Sequence, residues 1–121
     1  MSLKLDHLVI QTTKLDESVN FYNTLLPLLG FSKTIEWEWE NNDCLTVVLK
    51  AALEDVEYKR YGPGLNHFAF SVDSKEAFHK LYSKIEQAGL PLPKPQSFGE
   101  SISVFIPDPD GLRLEIAWEM K

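Results

Sequence analysis

Four stretches of the chain alternate apolar and polar residues with a period of two, a pattern that predicts half-buried β-strands. In the stretch LKLDHLVIQ, Leu8 and Ile10 share one face while His7, Val9 and Gln11 share the other. The other three stretches are SKTIEWEWE, NHFAFSV and LRLEIAW. Each predicted strand therefore has one strongly apolar face and one face of small, polar or charged residues.

Two segments between these strands place apolar residues at helical spacing. We expect Asp16 to cap the first helix and Gly30 to end it, with Pro27 distorting its last turn. For the second helix, Asp73 or Ser74 is the expected cap and Gly89 the end. The apolar stripes are Leu15, Val19, Tyr22, Leu26 and Leu29 in the first helix, and Phe78, Leu81, Tyr82, Ile85 and Ala88 in the second.

The remaining strands follow from turn residues. SKTIEWEWE and CLTVVLK flank Asn41-Asn42-Asp43, which predicts a hairpin in which Glu36, Glu38 and Glu40 line an exposed edge strand. LPLPKPQSFGE is rich in proline and is expected to be a loop, and it precedes the predicted strand SISVFIPD and the turn DPDG.

The order of these elements is repeated along the chain. His67 lies 60 residues after His7, and Gly89 lies 59 residues after Gly30. The sequence therefore predicts an α+β fold made of two strand-helix-strands modules, at about 3–61 and 65–119, in one domain that spans residues 1–121.

Composition and net charge exclude several classes of function. A chain of 121 residues with 44% hydrophobic and 25% charged residues suits one globular domain. Its net charge of −6 argues against nucleic acid or an anionic membrane as the main partner and suits an acidic soluble enzyme. The single cysteine, Cys44, excludes an intrachain disulfide, and no amino-terminal apolar run is long enough for a signal peptide, so we expect a cytoplasmic protein.

Candidate chemistry lies on the polar strand faces. Glu115 shares its face with Arg113, while His67 shares its own with Ala69 and Ser71. An ionised, unpaired Glu115 in a closed interior would cost several kcal/mol, and a divalent cation would offset that cost. Two imidazoles with one carboxylate form a ligand set that leaves coordination positions open. We therefore predict His7, His67 and Glu115 as metal ligands, with Gln11, Ser71 and Arg113 in the substrate pocket. For Arg113 two interpretations stay open, a contact with an anion near the metal and a salt bridge at the rim of the site.

The stretches DHLVIQTTKLDESVNFYNTLLPLLGF, GLNHFAFSV and FIPDPDGLRLEI together resemble the vicinal oxygen chelate superfamily. It includes glyoxalase I, extradiol dioxygenases, fosfomycin-resistance thiol transferases, methylmalonyl-CoA epimerase and bleomycin-resistance proteins. The resemblance implies two βαβββ modules in a cup-shaped mixed sheet, with the helices outside and the metal inside. It places the metal ligands at His7, His67 and Glu115. It also implies a homodimer, with the site either within one chain or shared between two.

One departure from the family pattern bears on the chemistry. Glyoxalase I and the epimerase usually have a further acidic or amide ligand near the end of the first module, and no obvious equivalent is present. The offset of 60 maps Glu115 onto Asp55, with Glu54 and Glu57 nearby, but this charged segment is more typical of a solvated connection. No residue is assigned as a catalytic acid or base.

Three functions follow as expectations. The first is an enzyme that uses Zn, Fe, Mn, Ni or Co as a Lewis acid on vicinal oxygens of a small substrate, with lyase, isomerase, dioxygenase or thiol-transferase chemistry left open. The second is a metal-free binding protein resembling bleomycin-resistance proteins. The third is a protein in which the metal has only a structural role.

Overall fold

The computed structural model describes residues 1–120 and divides into two compact units, Met1–Glu57 and a second that begins at Tyr58. The first unit contains β1 (His7–Thr12), α1 (Leu15–Leu28), β2 (Ser32–Ile35), β3 (Glu38–Glu40) and β4 (Thr46–Ala51). The second contains β5 (His67–Ser71), α2 (Lys75–Gln87), β6 (Gln96–Phe98), β7 (Ser101–Pro107) and β8 (Arg113–Trp118). The predicted α+β class and the βαβββ order of both modules are confirmed.

Each unit has one mixed four-stranded sheet with the same strand arrangement. The order is β1-β4-β3-β2 in the first unit and β5-β8-β7-β6 in the second. The first strand of each module pairs in parallel with the last, and the other pairings are antiparallel. The connection between the two parallel strands of a module therefore passes through its helix and two further strands.

The apolar strand faces form the core of each unit. In the first unit Ile10, Trp39, Val47 and Leu49 are buried, as are Phe21, Tyr22, Leu25 and Leu26 of α1. In the second unit the buried residues are Phe78 and Ile85 of α2, together with Ile102, Val104, Ile106, Leu112, Leu114 and Ile116. The predicted alternation in β1 and β8 is confirmed, because His7, Val9 and Gln11 are exposed and Arg113 and Glu115 lie outside the apolar layer.

Glycines end both helices as predicted. Gly30 and Gly89 have φ values of 88° and 82°, a conformation that only glycine adopts without strain. The Ser74 side chain caps α2 by accepting a hydrogen bond from the Ala77 backbone N–H, as expected for one of the two candidates. The cap of α1 was predicted wrongly: the N-cap position is Lys14, whose side chain does not cap the helix, and Asp16 lies in the first turn.

The stretch SKTIEWEWE is not one strand. It forms the hairpin of β2 and β3, with a turn at Glu36 and Trp37, and Trp37 has a φ of 68°. β3 lies between β4 and β2 in the sheet. The prediction that Glu38 and Glu40 lie on an edge strand is therefore wrong. The alternation continues through the turn, and periodicity alone could not reveal the reversal. Part of the predicted proline-rich loop is likewise the short strand β6.

The DPDG turn fixes the start of β8. The buried carboxylate of Asp108 accepts hydrogen bonds at 3.0 Å from the backbone N–H groups of Asp110, Gly111 and Leu112. Gly111 has a φ of 101°, which favours glycine. These bonds set the register in which Pro107 pairs with Arg113 and Phe105 pairs with Glu115.

Among residues 1–120, none of the helices has the length and apolar character needed to cross a membrane.

The Asp108 carboxylate should contribute measurably to stability. Replacing it by alanine leaves three turn N–H groups without this acceptor, so we expect Asp108→Ala to lower the free energy of unfolding by about 1–3 kcal/mol. Urea denaturation measures the change, and Asp108→Asn, which keeps one side-chain oxygen, should lose less. Equal stability of wild type and Asp108→Ala would contradict this role.

Candidate metal centre

The parallel pairing of β5 and β8 brings a histidine and a glutamate together on one face of the second sheet. His67 pairs with Arg113 and Ala69 pairs with Glu115, so His67 and Glu115 are diagonal neighbours. His67 Nε2 lies 3.1 Å from Glu115 Oε1. Two ligands that each lie about 2.1 Å from one metal ion are separated by about 3.0–3.4 Å. The pair thus has the separation expected of two ligands to one ion.

Asn66 holds the other nitrogen of the His67 ring. Asn66 Oδ1 accepts a hydrogen bond at 2.8 Å from Arg113 Nη2, and Asn66 Nδ2 donates to the Arg60 carbonyl at 3.0 Å. These partners identify which amide atom is the oxygen, because Arg113 can only donate and a carbonyl can only accept. The same oxygen lies 2.7 Å from His67 Nδ1, so that nitrogen carries the proton and donates to it.

This tautomer has an electrostatic consequence for the pair. With its proton on Nδ1, a neutral His67 ring presents the lone pair of Nε2 to the Glu115 carboxylate oxygen 3.1 Å away. Two acceptors at that distance repel each other unless a cation or an additional proton lies between them. A metal ion satisfies both, and a metal-ligating histidine typically donates its other ring N–H to a neighbouring oxygen, as His67 does.

His7 has the same local arrangement in the first unit. Its Nδ1 lies 2.8 Å from Oδ2 of the preceding Asp6, which leaves Nε2 available, and its side chain is 56% exposed. The dipeptides Asp6-His7 and Asn66-His67 occupy equivalent places at the start of β1 and β5. The sequence has an oxygen-bearing side chain directly before each strand histidine, and this pattern indicates a partner for the Nδ1 atom. The sequence analysis did not use this pattern.

Comparison with known proteins identifies the family. Residues 4–116 match the model of the Glyoxalase/Bleomycin resistance protein/Dioxygenase superfamily. The chain belongs to this superfamily. The resemblance drawn from the sequence motifs is thereby confirmed.

Three individual proteins illustrate the relationship. The chain is 34% identical over 121 residues to the glutathione transferase FosA of Serratia marcescens, an alignment that covers 96% of this chain and 81% of the relative. The crystal structure of a glyoxylase/bleomycin resistance protein/dioxygenase domain from Frankia sp. EAN1pec has a TM-score of 0.80 at 19% identity, and the alignment covers 100% of this chain and 95% of the Frankia chain. The crystal structure of lactoylglutathione lyase from Agrobacterium tumefaciens has a TM-score of 0.68 at 18% identity, and the alignment covers 98% of this chain and 95% of the lyase chain. The two structural likenesses show the glyoxalase-like fold alone.

The strand registers show which residue of the first module corresponds to Glu115. Val9 pairs with Val48 in the first sheet in the same way that Ala69 pairs with Glu115 in the second. The equivalent of Glu115 is therefore Val48, not the Asp55 given by the constant offset of 60. Since valine cannot bind a metal, the first sheet offers His7 alone at these positions, while the second offers His67 and Glu115.

The other acidic candidates of the first module lie beyond its last strand. Glu54, Asp55 and Glu57 are exposed, and the first two line a small cavity with Thr12, Thr13 and Leu15. None occupies a strand position equivalent to Glu115.

The predicted pocket residues lie in different surroundings. Arg113 contacts the His67–Glu115 pair indirectly, through Asn66. Ser71 ends β5 and lines a cavity of about 590 Å³ with Asp73, Trp118 and Glu119. Gln11 lies exposed on β1 opposite Lys50.

The full ligand set stays a prediction. Within the range that the structure describes, 1–120, no group of three or more His, Cys, Asp or Glu side chains is arranged to hold a metal ion. The pair His67–Glu115 is brought together, and the participation of His7 is a proposal.

The tautomer of His67 can be measured directly. In metal-free protein at mildly alkaline pH, we expect nitrogen NMR to show His67 protonated at Nδ1, because Asn66 Oδ1 accepts that proton. Asn66→Leu should remove this preference, and Asn66→Asp, which keeps an acceptor, should retain it. A majority of the Nε2-protonated form in the wild type would contradict the assignment.

Proposed function

We propose that the chain is a divalent-metal-dependent enzyme that transfers a thiol of the glutathione type to a small, oxygen-bearing substrate. The observation that carries the metal dependence is the 3.1 Å approach of His67 Nε2 and Glu115 Oε1. Because Asn66 Oδ1 lies on Nδ1, a neutral His67 ring leaves two acceptors facing each other there. The thiol class is supported by the 34% identity to a protein named glutathione transferase.

The proposed ligands are His67 and Glu115 of the second unit and His7 of the first. Two imidazoles and one carboxylate suit Zn, Fe, Mn, Ni or Co and leave positions open for substrate oxygens. Asn66 and Asp6 would hold the two rings in the required orientation, since each lies within hydrogen-bond distance of an Nδ1 atom. Val48 occupies the position equivalent to Glu115 and cannot bind a metal, so the first module adds no carboxylate there. The proposed set therefore comprises three ligands.

A divalent ion held by these residues would supply Lewis acidity towards a substrate oxygen. The chain's own residues keep the ligand geometry fixed. The Asn66 amide holds the His67 ring, and Phe105 packs edge-on against that ring with centroids 5.2 Å apart. Glu115 is mostly shielded, with 16% of its side chain exposed, so its charge acts in a setting of reduced solvent screening.

We further propose that the active form is a homodimer with sites shared between two chains. The His7 face of β1 is exposed, including Val9 at 47% of its maximal accessible surface, so a second copy can reach it. In this arrangement His7 of one chain joins His67 and Glu115 of the other, which gives two equivalent sites per dimer. Metal binding would then stabilise the dimer by linkage.

Metal affinity and thiol consumption test the function together. We expect His67→Ala and Glu115→Ala to weaken metal binding about 100-fold or more and to abolish metal-dependent glutathione consumption with a panel of small electrophiles. Isothermal titration with Zn, Mn, Co and Ni gives the affinities, and a thiol reagent follows glutathione.

Matched controls are available on α2. His79→Ala and Glu86→Ala remove the same residue types from exposed positions and should leave both measurements unchanged. Metal affinity that is the same in all four variants would refute the site. Small-molecule binding without metal and without turnover would instead establish a metal-free binding protein.

Mixing two inactive variants tests the shared site. His7→Ala and Glu115→Ala should each bind metal at the site about 100-fold more weakly or worse, but a heterodimer of the two contains one complete site. Equal mixing with free subunit exchange should restore about one quarter of the wild-type sites. Mass spectrometry confirms the exchange, and absence of any recovery would place each site within a single chain.

A further inference from the structure

We infer that Tyr58 is a positioning residue of the proposed metal site, which acts on the His67 ring through the Asn66 side chain. This inference rests on the proposed function, because it assigns a further residue to the same site. The Tyr58 side chain is half-buried, and its hydroxyl group contacts two main-chain carbonyl oxygens. Because a phenol has one proton to donate, these contacts use it to hold the main chain.

The hydroxyl group of Tyr58 closes the loop that leads into β5. It donates to the carbonyl oxygen of Leu65, and the carbonyl oxygen of Asn66 lies 3.1 Å away. Since β5 begins at His67, both carbonyls belong to the residues that directly precede this proposed ligand. The main chain that enters β5 is thus held by a side chain from the beginning of the same loop.

The Asn66 side chain is held from within this loop as well. Its Nδ2 donates to the Arg60 carbonyl at 3.0 Å, which leaves the amide oxygen to accept from His67 Nδ1 at 2.7 Å. Arg60 and Asn66 both lie in the segment 58–66 that the Tyr58 hydroxyl closes. Without that closure the Arg60 carbonyl and the Asn66 main chain can separate, and the amide loses the orientation that favours a proton on Nδ1.

The ring of Tyr58 lies beside the turn that precedes β8. A Cβ atom added to Gly111 of the DPDG turn would lie 3.8 Å from Tyr58 Cδ2, which is ordinary van der Waals contact. β5 carries His67 and β8 carries Glu115, so one side chain supports the segments that enter both strands. Ligands need to be held within about 0.5 Å of the productive geometry, and contacts around them supply that precision.

The two proposed histidine ligands differ in this support. The partner of His7 is Asp6, whose side chain is 90% exposed. The partner of His67 is Asn66, whose main-chain carbonyl lies 3.1 Å from the Tyr58 hydroxyl. We therefore expect a change at Tyr58 to act on the His67 end of the site.

Removal of the hydroxyl group alone tests the inference. Tyr58→Phe keeps the ring beside Gly111 but loses the contacts with both carbonyls. We expect it to weaken zinc binding about tenfold, the lower end of the loss typical when a group that orients a metal ligand is removed. In metal-free protein, nitrogen NMR should show a smaller excess of Nδ1-protonated His67 over the Nε2-protonated form. A loss of stability alone would not change this ratio in folded protein.

Two matched variants separate positioning from general effects. Tyr61→Phe removes a hydroxyl group from the same loop, where the side chain is 88% exposed. Tyr82→Phe removes a hydroxyl group of α2 that donates to the Pro93 carbonyl at 3.1 Å, so it loses a comparable hydrogen bond. Both should keep the wild-type zinc affinity and tautomer ratio, and urea denaturation verifies that each variant is folded. An unchanged tautomer ratio in Tyr58→Phe would overturn the inference whatever its zinc affinity.

A double variant tests the route through Asn66. If Tyr58 acts through Asn66, Asn66→Leu already removes what Tyr58→Phe removes. Tyr58→Phe/Asn66→Leu should therefore bind zinc like Asn66→Leu alone. Additive losses of affinity would reveal a separate route and overturn the inference.

The tautomer ratio keeps this inference and the proposed function apart, because it is measured without metal. Zinc binding that does not depend on His67 and Glu115 would refute the proposed function. Zinc binding that requires both ligands, together with an unchanged tautomer ratio in Tyr58→Phe, would refute the role of Tyr58 alone.

Discussion

One contact underlies the proposed metal site, the approach of His67 Nε2 to Glu115 Oε1 at 3.1 Å. Asn66 accepts the Nδ1 proton of His67, so in the neutral ring the nitrogen that faces the carboxylate carries a lone pair. An arrangement of two acceptors is unfavourable by itself and becomes favourable when a cation lies between them. The metal proposal and the orienting role of Asn66 both follow from this contact.

The contact is in turn a product of strand register. His67 and Glu115 meet because β5 and β8 pair in parallel with Ala69 opposite Glu115. The register of β8 against β7 is set by the buried Asp108 carboxylate, which binds three backbone N–H groups of the DPDG turn. The apolar residues Leu114 and Ile116 keep the opposite face of β8 in the core, so Glu115 must point away from it.

Much of this could be predicted from sequence because it depends on local patterns. Alternation identified the exposed face of β1 and the place of Glu115 outside the apolar layer, and Gly30 and Gly89 marked the helix ends.

The hairpin within SKTIEWEWE could not be predicted, since its alternation runs through the turn at Glu36 and Trp37. The mapping of Glu115 onto Asp55 was wrong because the modules differ in length between helix and last strand, and only the register identifies Val48. The role of Asn66 depends on contacts with Arg60 and Arg113 that no periodicity encodes.

The most direct test of the central claim is X-ray absorption spectroscopy of the protein loaded with one equivalent of zinc or cobalt. We expect two imidazole ligands, with oxygen in the remaining positions, and one imidazole fewer after His67→Ala. A spectrum without imidazole ligands, or one that His67→Ala leaves unchanged, would show that the contact between His67 and Glu115 is an ion pair rather than half of a metal site.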